Sequence, residues 1–199
     1  MIYQKGYVYH IKDEYFKKAN DKNLMINKEK GQYRPTYYCE KDNNTGLIWV
    51  VPMSTKYNKF ENEVQKKINK YGKCNTIVLG SFDKKKAAFL IQNMFPITEK
   101  YLDHIHTRNN RPVPVSHKIQ NNIKTFVKEV RALTKRGHKI VFPDIERLEK
   151  MMLSELEVEK AKNKMSLSDK IKLAQDKANQ QNANRQRKPI QNKDRGKEQ

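Results

Sequence analysis

The sequence predicts an α+β domain: a small, curved, mostly antiparallel sheet with inserted and appended helices. Short β-branched and aromatic runs separated by turn residues crowd the first half of the chain. Helical periodicity is inserted once among them, after Asn58, and dominates after Ser116. Two pairs of runs lie close enough to close as hairpins, which makes their strands antiparallel neighbours.

Residues 6–11 read as a first strand and residues 13–20 as a short helical turn, followed by a polar loop over residues 21–32. Residues 34–40 are aromatic and β-branched, with Pro35 at the start, and residues 42–46 supply Asp, Asn and Gly for a turn. The chain then returns over residues 47–51, which carries Arg34 back alongside Ser54, Thr55 and Lys56. Phe60, Val64, Ile68 and Tyr71 recur at helical spacing, with Gly72 as the stop. Residues 76–80 and 87–91 flank a basic tip containing Lys84, Lys85 and Lys86, a second hairpin. Residues 98–104 read as a short helix and residues 111–115 as an extended piece. Ile119, Ile123, Phe126, Val127, Val130 and Leu133 line one face of a helix that starts after Ser116 and stops at Gly137. Residues 139–142 read as extended, and Asp144 is placed to cap a helix containing Ile145, Leu148, Met151, Met152 and Leu156.

Beyond Glu157 the composition turns to Lys, Gln and Asn. Residues 1–156 are therefore read as the folded domain. Residues 157–199 are a basic tail, helical in part near Ser166 and Asp169 and disordered from Ala178 onward. The tail holds 12 basic and six acidic residues, which leaves +14 of the total +20 on the domain itself. Charge of that sign favours polyanions: RNA, DNA or an acidic membrane. No apolar run approaches the roughly 20 residues of a spanning helix, and the N-terminus has no signal-peptide pattern, so a cytoplasmic location is expected. Cys39 and Cys74 lie far apart with no metal-ligand spacing, and neither a P-loop, a G-x-G-x-x-G nor a nucleophile elbow is present. No cofactor is expected.

The segment Gly46-Leu-Ile-Trp-Val-Val-Pro52-Met-Ser54-Thr55-Lys56 carries the most chemical information. A buried strand ending there delivers two hydroxyls and an ammonium to one exposed point. Such a set suits a phosphate, because it can hold the ester and offset charge developing on its oxygens. RNA carries its own nucleophile in the 2′-hydroxyl, so cleaving it needs alignment, a base, and donors for the developing dianion. Arg34, Ser54, Thr55 and Lys56 meet most of these demands without a metal. The same residues have a plainer use, with Ser54 and Thr55 capping a helix near Asn58 and Lys56 a solvated charge.

His104 and His106 share a face if they sit on a strand, and suit metal binding or acid–base work, but no Asp, Glu or Cys grouping accompanies them as a metal pattern. His10, His117 and His138 read as ordinary surface or capping residues. Among ten tyrosines, Tyr15 and Tyr33 have polar neighbours and are the candidates for stacking on RNA bases. Lys84, Lys85 and Lys86 are placed to grip phosphate, although basic tips also serve as solubilising turns.

In order and spacing these pieces resemble the endoribonuclease toxins of type III toxin–antitoxin systems, the ToxN/AbiQ group, and within it the CptN branch. The residues that carry the resemblance are Tyr7-Val-Tyr-His-Ile11 with Tyr15, Arg34-Pro35 with Tyr37-Tyr38, the 46–56 segment, and Ile91-Gln-Asn-Met-Phe-Pro96. The resemblance implies a compact, strongly curved barrel of the MazF/Kid-like type with extra helices. It also implies metal-independent cleavage of A-rich RNA that leaves a 2′,3′-cyclic phosphate, in phage defence or plasmid maintenance. The implied partner is a repeat RNA antitoxin folded as a pseudoknot, which the toxin processes and which inhibits it in closed toxin–RNA assemblies. The implied site falls on Ser54, Thr55 and Lys56, with Arg34 as a basic groove residue and Tyr15 as an aromatic one. The hydroxyl–lysine segment is one residue shorter than in some members, so the lysine role can pass to Lys59. Two further classes compete: a noncatalytic basic RNA-binding accessory protein, and a DNA-binding regulator, the latter without a helix-turn-helix or heptad pattern to support it.

Overall fold

A computed structural model of the protein describes residues 3–29 and 31–186. The chain divides into two units, Met1–Glu155 and Leu156–Gln199. In order, the first half contains β1 (Val8–Ile11), α1 (Asp13–Ala19), a ribbon of β2 (Lys28–Glu29) and β3 (Gln32–Tyr33), β4 (Thr36–Lys41), β5 (Ile48–Ser54) and α2 (Tyr57–Tyr71). There follow β6 (Ile77–Phe82), β7 (Lys85–Leu90), β8 (Phe95–Ile97), β9 (Leu102–Ile105), a ribbon of β10 (Thr107–Arg108) and β11 (Arg111–Pro112), α3 (His117–Lys135) and α4 (Ile145–Gln186).

Seven strands form one antiparallel sheet in the order β6-β7-β5-β4-β1-β9, with β8 also against β5. The apolar run of β5 is its centre, buried at every residue. On one side β5 pairs with β4, Thr36 opposite Pro52 and Lys41 opposite Ile48. On the other it has two partners in turn: β8 along residues 48–50, then β7 at Met53 and Ser54. Pro52, with no N–H to donate, falls in the gap where neither outer partner pairs.

The α+β class stands, but the barrel does not. β6 and β9 are separate edges of the sheet, and no sheet closes or curls strongly. A barrel buries a sheet face against itself; here α3 supplies that cover. Ile119, Ile123, Val127 and Val130 share one core with Val51, Met53, Val78 and Phe89. Gly80 permits the close approach, since a Cβ there would lie 2.5 Å from Cδ1 of Ile119. A separate cluster places Phe60 and Val64 of α2 against Ile77, Ala88 and Leu90.

Other local expectations are corrected. Residues 98–104 hold only a short 3-10 turn, Glu99–Tyr101, and then β9 pairs with β1, Tyr9 opposite Ile105 and Ile11 opposite Leu102. The free edge of β1 outweighs weak local helix preference there. Residues 139–142 form no strand; the backbone N–H of Phe142 donates to the carbonyl of Gln92 at 2.8 Å. Strand β8 had no separate signal, because Pro96 interrupts its short apolar run. Cys39 is buried, which pushes its thiol up to about 12, and Cys74 is half-buried; both are free. In the second unit the helix continues through Ala178 to Gln186, past the point where composition argues for disorder. Residues 187–199, the remainder of that expectation, lie outside the described residues.

Candidate functional site

The C-terminal end of β5, the β2–β3 ribbon, the β6–β7 turn and the end of β1 enclose a groove of about 620 Å³. Its lining includes Arg34, Ser54, Thr55, Lys56, Tyr33, Lys85 and Lys86, and also His10, Glu29, Asp83 and His106. The β4–β5 register explains the first four. Thr36 opposite Pro52 sets Arg34 beside the residues after Pro52, and its Nη1 donates to the carbonyl of Met53 at 3.1 Å.

Arg34 and Lys56 converge on one anion. The carboxylate of Glu29 accepts from Lys56 Nζ at 2.5 Å through Oε1 and from Arg34 Nη2 at 3.2 Å through Oε2. These two cations hold the Glu29 carboxyl below the usual carboxylate range, Lys56 contributing most. Arg34 also donates through Nε to the carbonyl of Ile26 at 3.0 Å. With its side chain only 11% exposed, it ties the 26–29 loop to the end of β5, whereas the Lys56 side chain is 59% exposed. A carboxylate has the charge and spread of two phosphate oxygens, so its position marks where a phosphate would be held.

Ser54 is buried and its Oγ accepts from the backbone N–H of Lys56 at 3.2 Å, leaving the hydroxyl proton free to donate. Neither Ser54 nor Thr55 caps α2: the residue preceding the helix is Lys56 and no side chain bonds its first turn. Tyr33 lies at the rim, its hydroxyl donating to Asp13 Oδ2 at 3.3 Å and its ring under Lys28 Nζ at 4.3 Å. Lys86 Nζ lies over the ring of Tyr57 at 4.8 Å.

A further part of the wall joins His106, one of the two histidines read as suited to acid–base work, with Asp83 and His10, which the sequence did not point to. His106 Nε2 lies 3.2 Å from Asp83 Oδ2, and Asp83 is also paired with Arg108 through Oδ1 at 3.0 Å. The β6–β7 loop is a two-residue turn with positive φ at both Asp83 (50°) and Lys84 (63°), a geometry that Asp tolerates better than most residues. His10 stacks on His104, centroids 4.4 Å apart and planes 19° from parallel, and lies 6.3 Å from His106. Burial first, then the neighbouring His104 and His106, pushes His10 down to about 4. His10 is thus a groove residue rather than an ordinary surface one. The signal available was period two: His104 and His106 alternate on one edge, and β1 brings His10 against them. Among the described residues no three His, Cys, Asp or Glu gather as a metal-binding group.

Three expected residues lie elsewhere. Tyr15 is fully buried; its ring stacks on Phe95 at 5.1 Å and its hydroxyl donates to the carbonyl of Pro96 at 2.9 Å. It offers no face to a base, because α1 turns it inward as the core residue of its short amphipathic helix. Lys59 lines an adjoining shallow depression that shares Thr55, Lys56, Lys85 and Lys86 with the groove. Lys84, at the tip of the turn, lines a different depression with Arg108 and Arg111.

No family model and no curated protein matches the sequence. By structure the fold is one already seen in another protein. That structure is AbiQ, described as a lactococcal anti-phage endoribonuclease belonging to the type III toxin–antitoxin system. The match has a TM-score of 0.58 at 12% identity and covers 77% of this chain and 99% of AbiQ. The chain therefore has the AbiQ fold, in agreement with the ToxN/AbiQ resemblance carried by its residue order.

Proposed function

We propose that this protein is an endoribonuclease toxin of a type III toxin–antitoxin system, with residues 1–156 as the nuclease. The observation that carries the reading is the pairing of Lys56 and Arg34 on one carboxylate beside Ser54 and Thr55, in a chain with the AbiQ fold. RNA displaces Glu29, and the scissile phosphate takes its place. Lys56 and the hydroxyls of Ser54 and Thr55 hold the nonbridging oxygens, while Arg34, anchored to the loop, fixes the width of the site. The 2′-hydroxyl then attacks in line, forms a 2′,3′-cyclic phosphate and expels the 5′-oxygen, without a metal. Tyr33 and the ammonium groups of Lys59, Lys84, Lys85 and Lys86 bind the flanking nucleotides of an A-rich strand.

The RNA antitoxin, a repeat pseudoknot cut from its precursor by the toxin, fills the same groove in a closed toxin–RNA hetero-oligomer in the cytoplasm. Among the described residues no helix is long and apolar enough to cross a membrane. The test is cleavage of unstructured A-rich RNA and of the matching DNA in EDTA by the wild type and by Ser54→Ala. RNA is cut, DNA is not, and the variant slows by about 100-fold. RNA bound but left intact by the wild type identifies the noncatalytic RNA-binding class instead.

A further inference from the structure

A phosphate clamp alone leaves the reaction without a group to take the proton from the 2′-hydroxyl. Lys56 is unsuited, because an ammonium that stabilises charge has no lone pair. Glu29 is displaced from the site when the phosphate enters. We infer that His106 is the general base of this groove and that Asp83 is its positioning residue. The inference rests on the reading above, that the groove cleaves RNA.

The geometry supplies a place in the groove, an orienting partner and a packed ring. His106 lines the same groove as Ser54, Thr55 and Lys56, with its side chain 25% exposed. Asp83 lies 3.2 Å from Nε2 and can only accept, so the neutral imidazole carries its proton on Nε2 and its lone pair on Nδ1. Arg108 holds the same residue: its Nη2 donates to the Asp83 carbonyl at 3.2 Å, and its charge lies 3.0 Å from Oδ1, which has no hydrogen-bond partner among the described residues. The ring of Phe82 packs at 5.1 Å from that of His106. An orienting acid, a held tautomer and a packed ring are what positioning a base demands. The residue is held at a turn with two positive-φ residues, which keeps the Asp83 carboxylate aimed at β10 and at the residue preceding it.

In the step, Nδ1 of His106 takes the 2′-hydroxyl proton as the O2′–P bond forms. The P–O5′ bond breaks, and the leaving 5′-oxygen receives a proton from the Lys56 ammonium. The products are a 2′,3′-cyclic phosphate and a 5′-hydroxyl, and exchange with water returns both side chains to their starting forms. The base must be neutral, so the rate rises with pH as the imidazole loses its proton. The charged and titratable groups facing it are Asp83 from the β6–β7 turn, His10 from β1 with His104 of β9 stacked behind it, and Arg108 from β10. Lys85 and Lys86 of β7 line the same groove.

The experiment measures single-turnover cleavage of one RNA from pH 5 to 8, with either the normal 5′-oxygen or a bridging 5′-sulfur at the scissile bond. A thiolate leaves without protonation, so the sulfur substrate relieves loss of an acid but not loss of a base. His106→Gln lowers the rate by about 100-fold or more on both substrates and abolishes the rising limb of the profile. Asp83→Asn, an exchange the positive φ accommodates, slows the reaction but keeps the limb. Full activity of His106→Gln beside an active wild type overturns the base and leaves the nuclease reading intact. Rescue of His106→Gln by the 5′-sulfur overturns it in favour of an acid, and full activity of Asp83→Asn overturns the positioning role. A wild type that cleaves neither RNA removes the reaction and the base together.

Discussion

Replacing Tyr15 by phenylalanine removes one oxygen from the interior and separates two views of this residue. In the structure its hydroxyl donates to the carbonyl of Pro96 at 2.9 Å, and the ring is fully buried between Phe95 and Tyr101. Burial also pushes the phenol far above its ordinary range, so it remains a neutral donor. Loss of the donor leaves a carbonyl in the core without that partner, at a cost of about 1–3 kcal/mol, while the ring contacts survive. For a chain of this size each kcal/mol lowers the melting temperature by about 2–4 °C, so Tyr15→Phe melts roughly 2–12 °C below wild type. Thermal unfolding followed by circular dichroism measures the shift, and RNA cleavage at 25 °C, well below melting, stays within about twofold of wild type. A variant of unchanged stability with strongly impaired cleavage would refute the reasoning, since it would mean that the hydroxyl serves RNA and not the core.

Three further outcomes follow from the same geometry. Glu29→Gln frees Lys56 and Arg34, so RNA binds roughly two- to fivefold tighter with a steeper salt dependence, measured by fluorescence anisotropy; weaker binding would show that Glu29 helps to hold RNA. Gly80→Ala forces a Cβ to within 2.5 Å of Ile119 Cδ1 and 3.1 Å of Cγ1, destabilising by about 1–3 kcal/mol in urea unfolding. Adding Ile119→Val, which removes Cδ1, recovers much of the loss, and a stabilised single variant would contradict the packing of α3. His10 takes up a proton near 6.5 when unfolded and only near 4 when folded, so the unfolded chain binds more protons between those values. Stability therefore falls as pH drops from about 6.5 to about 4, and the melting temperature of His10→Gln is flatter across that window.

The grouping of residues in the candidate groove was legible wherever it depended on neighbours in sequence. The apolar run before Pro52 identified β5, and the Asp42 to Gly46 turn set the register that places Arg34 beside Met53. What could not be read was anything made by distant pairing. His10, Asp83 and His106 come from β1, the β6–β7 turn and the residue after β9, and only the β1–β9 pairing brings two of them together. Residues 102–105 carry no strong strand preference; they are a strand because β1 has a free edge to offer. Tyr15 shows the opposite failure, since polar neighbours on a seven-residue helix say little about its single buried face. The openness of the sheet was likewise invisible, because whether a curved sheet closes depends on what covers its face, and here that is α3.

The most direct measurement is the chemistry of the RNA ends left by purified protein in EDTA, with Lys56→Ala as its partner sample. The account predicts a 2′,3′-cyclic phosphate on one fragment, a 5′-hydroxyl on the other, and cleavage by Lys56→Ala slower by about 100-fold or more. A 5′-phosphate on the downstream fragment, or equal rates for the two proteins, would contradict it.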